Sequence, residues 1–179
     1  ARGESAHYDG ACRRLTAAEV ARFEREGRRP AIRFHVPAEG RIVVRDAVKG
    51  DVAFDAAEIG DFIILRSDGL PTYNFAVVVD DIAMEITHVI RGVGHLSNTP
   101  RQVLLYRALG AEPPVFAHVP TVLGPDRQKL SKRHGAKPLA EYRREGYHPD
   151  GVVNYLSLLS WSSASGEEIL SRERLVNEV

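Results

Sequence analysis

The sequence predicts an α/β protein, and three observations carry that reading. Four β-branched-rich runs separated by turn residues fill positions 31–66, a strand, helix and strand follow one another between 86 and 123, and helical patterns take over after 139. The middle stretch is a βαβ unit, the building block of a parallel sheet. Residues 1–72 read as a small α+β unit, 73–124 as the parallel-sheet fragment, and 125–179 as a basic loop followed by helices.

Taken in order, Tyr8-Asp9-Gly10 reads as a turn. Thr16 with Glu19 three positions later is a capping box, Leu15 and Val20 supply a hydrophobic staple, and Gly27 stops the helix after about ten residues. Strands are expected over Ala31–Val36, Arg41–Val48, Asp51–Phe54 and Phe62–Arg66, with Pro37, Gly40, Gly50 and Gly60 between them. Such close spacing predicts an antiparallel sheet with hairpin turns. Ser67-Asp68-Gly69 then turns the chain ahead of Pro71. The run Tyr73–Val79 is apolar without clean alternation, so periodicity leaves a buried strand and a buried helix both open.

Ile86–Ile90 reads as a strand ending at Arg91-Gly92. Thr99-Pro100 supplies a helix cap and a first-turn proline, Val103, Leu104 and Ala108 part of an apolar face, and Gly110 a stop. Val115–Leu123 is the next strand and feeds directly into the basic loop. Ligands of parallel sheets bind beyond the carboxyl ends of the strands, which predicts Arg91-Gly92 and the 124–135 loop on one edge. Leu139–Glu145 and Pro149–Leu159 read as helices around Gly146-Tyr147-His148, with a short helix from Ser171.

The 24 basic and 24 acidic residues cancel to a formal charge of +0, so a nucleic-acid surface has to be a local patch. A single cysteine, Cys12, excludes an internal disulfide and a Cys-rich zinc site built by this chain alone. No apolar run reaches the roughly 18 residues of a membrane helix. The first residues lack the apolar stretch of an export signal, so a cytoplasmic location is expected.

Chemistry concentrates in Lys129-Leu130-Ser131-Lys132-Arg133-His134-Gly135, introduced by Leu123-Gly124-Pro125-Asp126-Arg127. Gly124-Pro125-Asp126 and Gly135 mark a loop, and two lysines, an arginine and a serine within it suit an anionic ligand. By composition alone the same run also suits a solvated charged face.

The run KLSKR resembles the KMSKR signature of class I aminoacyl-tRNA synthetases. Upstream, RSDG-PTYNFAVVVDD and THVIRG--HLSNTPRQ resemble the bacterial-type glutamyl-tRNA synthetases, as do LLYRALG, Phe116–Pro120 and NYLSLLSWS. The similarity runs along essentially the whole chain. It implies the second half of a Rossmann-like nucleotide-binding fold at 73–124, part of an acceptor-binding insertion at 1–72, and the loop and start of a helical stem-contact region at 125–179.

The resemblance implies that Tyr73 and Arg91 hold glutamate, and that Lys129, Ser131, Lys132 and Arg133 contact ATP, with Lys129 and Lys132 acting on the departing pyrophosphate. A guanidinium at a strand end offers planar, charge-assisted hydrogen bonds to a carboxylate. His95 is a further ATP candidate. For His118 and His134 a structural hydrogen-bonding role is favoured over phosphate contact, and Trp161 is expected in the core. The implied partners are ATP with Mg2+, glutamate and tRNA(Glu). A monomer without membrane association is expected.

Three departures from the family pattern qualify this. There is no HIGH-like motif, which implies an interior piece of a synthetase. Val93-Gly94 stand where relatives carry an acidic pair able to accept from the ATP ribose. Cys12 is followed by Arg13-Arg14 rather than a C-x-H pair, so no zinc is expected. Two alternatives to the ligase are an inactive truncated paralogue that binds tRNA or a partner, and a relative that glutamylates a modified tRNA base.

Overall fold

The computed structural model describes residues 8–124, 126–130, 137–159 and 161–178. They form two compact units, one up to Val119 and the other from Pro120 on.

The first unit opens with a 3₁₀ turn, Ala11–Arg14, and helix α1, Ala17–Arg25. Both halves of the capping box are made: Thr16 Oγ1 accepts from the Glu19 amide, and the Glu19 carboxylate accepts from the Thr16 amide at 2.8 Å. Gly27, at φ 75°, takes the left-handed conformation that ends the helix.

The strands are β1 (Ile32–Phe34), β2 (Arg41–Asp46), β3 (Gly50–Asp55), β4 (Phe62–Leu65), β5 (His88–Gly92) and β6 (Val115–Val119). The single antiparallel sheet expected of the first four is split. β1 pairs with β4 alone, whereas the β2–β3 hairpin joins a mixed sheet of order β3-β2-β6-β5. The burial of β2 explains this: Ile42, Val44 and Asp46 all face inward, and the Asp46 end runs parallel to β6 through the pair Asp46↔Phe116.

Helix α2 is one turn, Ala56–Ile59, between β3 and β4. Residues Tyr73–Ala83 form helix α3, which settles the ambiguous apolar run. Thr72 precedes it, and its hydroxyl donates to the Ile63 carbonyl at 2.8 Å, so the helix start is tied to β4 instead of capped. Helix α4, Thr99–Ala108, crosses from β5 to parallel β6 as a βαβ unit, following a 3₁₀ turn at Val93–Asn98. Pro100 and Gln102–Tyr106 are all buried, as befits a helix covered on every side. Val44, Val78, Leu105 and Phe116 sit at the centre of this core, and Tyr106 reaches out of it to donate to Asp81 at 3.1 Å.

The second unit begins with a tight hairpin. Leu123 pairs with Lys129, the Gly124 amide donates to the Gln128 carbonyl at 2.8 Å, and the Leu130 amide to the Val122 carbonyl at 2.9 Å. Helices α5 (Leu139–Arg144), α6 (Pro149–Ser157) and α7 (Arg172–Glu178) follow. Asn154 of α6 stitches the segment before α7, donating to the Glu168 carbonyl at 2.7 Å and accepting from the Leu170 amide at 2.9 Å. Trp161 is half-buried. None of the described helices is long and apolar enough to cross a membrane.

Candidate active site

Parallel pairing sets Arg91 of β5 directly beside His118 of β6, both one residue from their strand ends. Arg91 shares the inward phase of its strand with Val89. Its Nε donates to His118 Nε2 at 3.1 Å, and its Nη2 donates to Thr99 Oγ1 at 2.9 Å and to Gln102 Oε1 at 2.7 Å. None of the three acceptors is a carboxylate, and none of these bonds uses Nη1. Burial pushes the guanidinium below its ordinary value, while the Tyr73 hydroxyl, Asp81 and Tyr106 act in the opposite sense. Arg91 thus lies half-buried in a cradle of polar side chains.

The cradle continues in both directions. His118 is fully buried, and its Nδ1 lies 2.5 Å from Asp46 Oδ2. Burial alone would raise the Asp46 carboxyl, but His118 and the amides of Lys49, His118 and Val48 hold it at about 2. On the other side Gln102 Nε2 donates to Asn74 Oδ1 at 3.1 Å, next to Tyr73 on the first turn of α3.

Tyr73 is half-exposed, and its ring centre stands 6.0 Å from that of His95. His95 is exposed and lies in the 3₁₀ turn, where its Nδ1 is 3.4 Å from Asn98 Nδ2. The structure thus brings Tyr73, His95 and Arg91 into one region. Gly94 is exposed, and a Cβ placed on it meets nothing within 4 Å. Of the loop residues, Lys129 is exposed on the return arm of the hairpin, while Ser131, Lys132, Arg133 and His134 lie outside the described residues.

Sequence reasoning missed four participants. Thr99 is the first residue of α4 and not its cap; it is wholly buried, with its hydroxyl 3.1 Å from His118 Nε2. Gln102 and Asn74 look like ordinary helix polar residues. Asp46 looks like a turn former, and it does accept from the Val48 and Lys49 amides. Its phase was the available clue, since an aspartate in register with Ile42 and Val44 must point into the core.

Arg13, Arg28, Arg29 and Arg33 line a cavity of about 590 Å³ together with Glu24, Asp61 and the rings of Tyr8 and Phe23, and Arg13 pairs with Asp61. The Arg28 guanidinium stacks over Phe23 at 4.5 Å, and that of Arg33 over Tyr8 at 3.9 Å.

A βαβ unit with polar side chains gathered at adjacent strand ends is where α/β folds place a ligand site. Residues 1–179 match the family described as tRNA synthetases class I (E and Q), catalytic domain. The chain belongs to that family. It is 57% identical over 175 residues to a glutamate–tRNA ligase of Heliobacterium modesticaldum, covering 98% of this chain and 35% of that protein. With the Moorella thermoacetica glutamate–tRNA ligase the identity is 55% over 178 residues, covering 99% and 36%. The crystal structure of an Elizabethkingia meningosepticum glutamate tRNA ligase in complex with its amino acid superposes with a TM-score of 0.82 at 34% identity, over 97% of this chain and 39% of that one. The chain thus spans about a third of the length of the curated relatives it matches.

Proposed function

We propose that this chain is part of a glutamate–tRNA ligase. Glutamate is activated with ATP to the adenylate and then transferred to tRNA(Glu). Residues 73–124 form the second half of the nucleotide-binding domain, 1–72 part of the acceptor-binding insertion, and 125–179 the KLSKR loop and the start of the stem-contact helices.

The observation that carries this is Arg91. Its three described hydrogen bonds end on His118, Thr99 and Gln102, so the guanidinium is oriented by bonds that include no carboxylate. A carboxylate of glutamate takes the Nη1 edge, which none of these three bonds uses, and Tyr73 hydrogen-bonds it from the start of α3. An α-carboxylate oxygen of glutamate attacks the α-phosphorus of ATP, and pyrophosphate leaves. Lys129 and Lys132 stabilise the charge on it, with Ser131, Arg133 and His95 as further phosphate donors. Mg2+ enters with ATP. A ribose hydroxyl of the tRNA end then attacks the glutamyl carbonyl, and AMP leaves. The arginine-lined cavity of the N-terminal part contacts the tRNA backbone. A cytoplasmic, monomeric enzyme fits this role.

Pyrophosphate exchange by the natural polypeptide carrying these residues tests the reading. Lys132→Ala abolishes exchange. Arg91→Ala raises the glutamate KM about tenfold or more, the weight of a charge-assisted bond. Unchanged exchange in either variant removes the corresponding role.

One observation favours a second reading, a tRNA-binding paralogue without catalysis: Val93-Gly94 offer no side-chain acceptor to the ATP ribose. Space does not explain the glycine, because a Cβ at Gly94 is unobstructed. The double variant Val93→Glu, Gly94→Asp is expected to lower the ATP KM if the ligase reading holds. Binding of tRNA without exchange in both wild type and variant supports the paralogue.

A further inference from the structure

We propose that Asp46 and His118 are positioning residues that hold Arg91 in its working orientation through one fixed histidine tautomer; this rests on the reading of Arg91 as the glutamate anchor. Arginine has only donors, so the Arg91 Nε–H that reaches His118 Nε2 at 3.1 Å requires a lone pair on that nitrogen. The ring proton must then sit on Nδ1, where Asp46 Oδ2 accepts it at 2.5 Å. Asp46 is held ionised and rigid in this task. It accepts from the His118 amide as well as from the Val48 and Lys49 amides, and neither partner has any side-chain exposure.

The rest of the cradle agrees with that assignment. Thr99 and Gln102 accept from Nη2, and Gln102 turns its amide nitrogen to Asn74, beside Tyr73. Five elements, β2, β5, β6, α4 and α3, thereby fix one guanidinium. No group in the chain Asp46, His118, Arg91 has to change protonation for glutamate to bind, so the effect is on orientation alone.

Asparagine at position 46 reverses the chain. Its amide donates to Nδ1, the ring proton moves to Nε2, and two donors then face each other at Arg91; a Ser-His-Asp triad suffers the same inversion of tautomer when its aspartate becomes asparagine. In the natural polypeptide, Asp46→Asn and His118→Leu are expected to raise the glutamate KM about tenfold or more, with the ATP KM within about twofold. His118→Gln, whose carbonyl oxygen can replace Nε2 as acceptor, stays within about threefold of wild type. Nitrogen NMR of the labelled wild-type protein, with the His118 ring assigned by through-bond correlation to its own backbone, is expected to show the Nδ1–H tautomer and needs no variant to fold.

An Nε2–H tautomer in wild type overturns the proposal. So does an Asp46→Asn enzyme with normal glutamate KM, or a His118→Gln enzyme as impaired as His118→Leu. If Arg91→Ala leaves the glutamate KM unchanged, the anchor reading fails and the positioning role falls with it; if Arg91→Ala raises it and Asp46→Asn does not, only the positioning role is wrong.

Discussion

Two aspartates of the first unit each hold a histidine and stand near an arginine, yet the two groupings differ in every consequence. Asp46 and His118 have no side-chain exposure, and the arginine is reached through the ring. Asp61 lies near the surface at 11%, with His35 at 61% and Arg13 at 53%, and Arg13 pairs directly with the carboxylate. Asp61 Oδ1 accepts from the Val36 amide at 2.9 Å and lies 3.0 Å from His35 Nδ1. In the exposed grouping the cation and carboxylate satisfy each other. In the buried one the histidine separates them: the ring and three amides satisfy the carboxylate, and the arginine's described bonds end on His118, Thr99 and Gln102.

The comparison can be broken most severely at Asp46. Asp46→Ala strands buried donors of His118, Val48 and Lys49, and it is expected to lower stability by about 3–5 kcal/mol in urea unfolding. A loss under about 1 kcal/mol would show that Asp46 is not the hub of this region.

Acid titration is the next largest effect. The folded Asp46 carboxyl sits at about 2 against an ordinary 3.8. Its contribution is therefore complete above about pH 4 and disappears as pH falls toward 2, a loss of about 2 kcal/mol. Urea midpoints measured from about pH 5 to pH 2 should fall accordingly, and Asp46→Asn should flatten the curve.

Asp61 is also lowered: burial would raise it, but the His35 bond, the Val36 amide and the Arg13 charge prevail. With both charged partners in water, Asp61→Ala should cost about 1 kcal/mol, chiefly for the lost Val36 amide bond. His35→Ala should change stability by no more than about 0.5 kcal/mol. A His35 effect as large as that of Asp46 would erase the distinction between the groupings.

Much of this was legible beforehand where local chemistry decides. The α1 capping box, the β2–β3 hairpin and the β5–α4–β6 unit follow from capping residues, glycines and strand composition. Tyr73–Val79 was not, because an apolar run buried on several sides has no period to read, and only the docking of Thr72 onto β4 fixes it as a helix. The pairing of β2 with β6 is non-local and invisible to spacing. At the site, Arg91 and Tyr73 were marked by resemblance, whereas Thr99 was misread as a cap because a threonine before proline satisfies that pattern completely. Gln102 and Asn74 carry no distinguishing pattern at all; they become visible only once Arg91 is buried and its donors need acceptors.

The separation of the cradle's members along the chain bears on when it forms. Arg91 reaches Thr99 and Gln102 across 8 and 11 residues, but Asp46 meets His118 across 72. The short-range half can assemble as β5 and α4 fold, whereas the long-range half waits for a large loop to close. The arginine is thus expected to be held loosely first and aligned only when the last strand of the sheet docks, which would make the completed cradle a late event in folding.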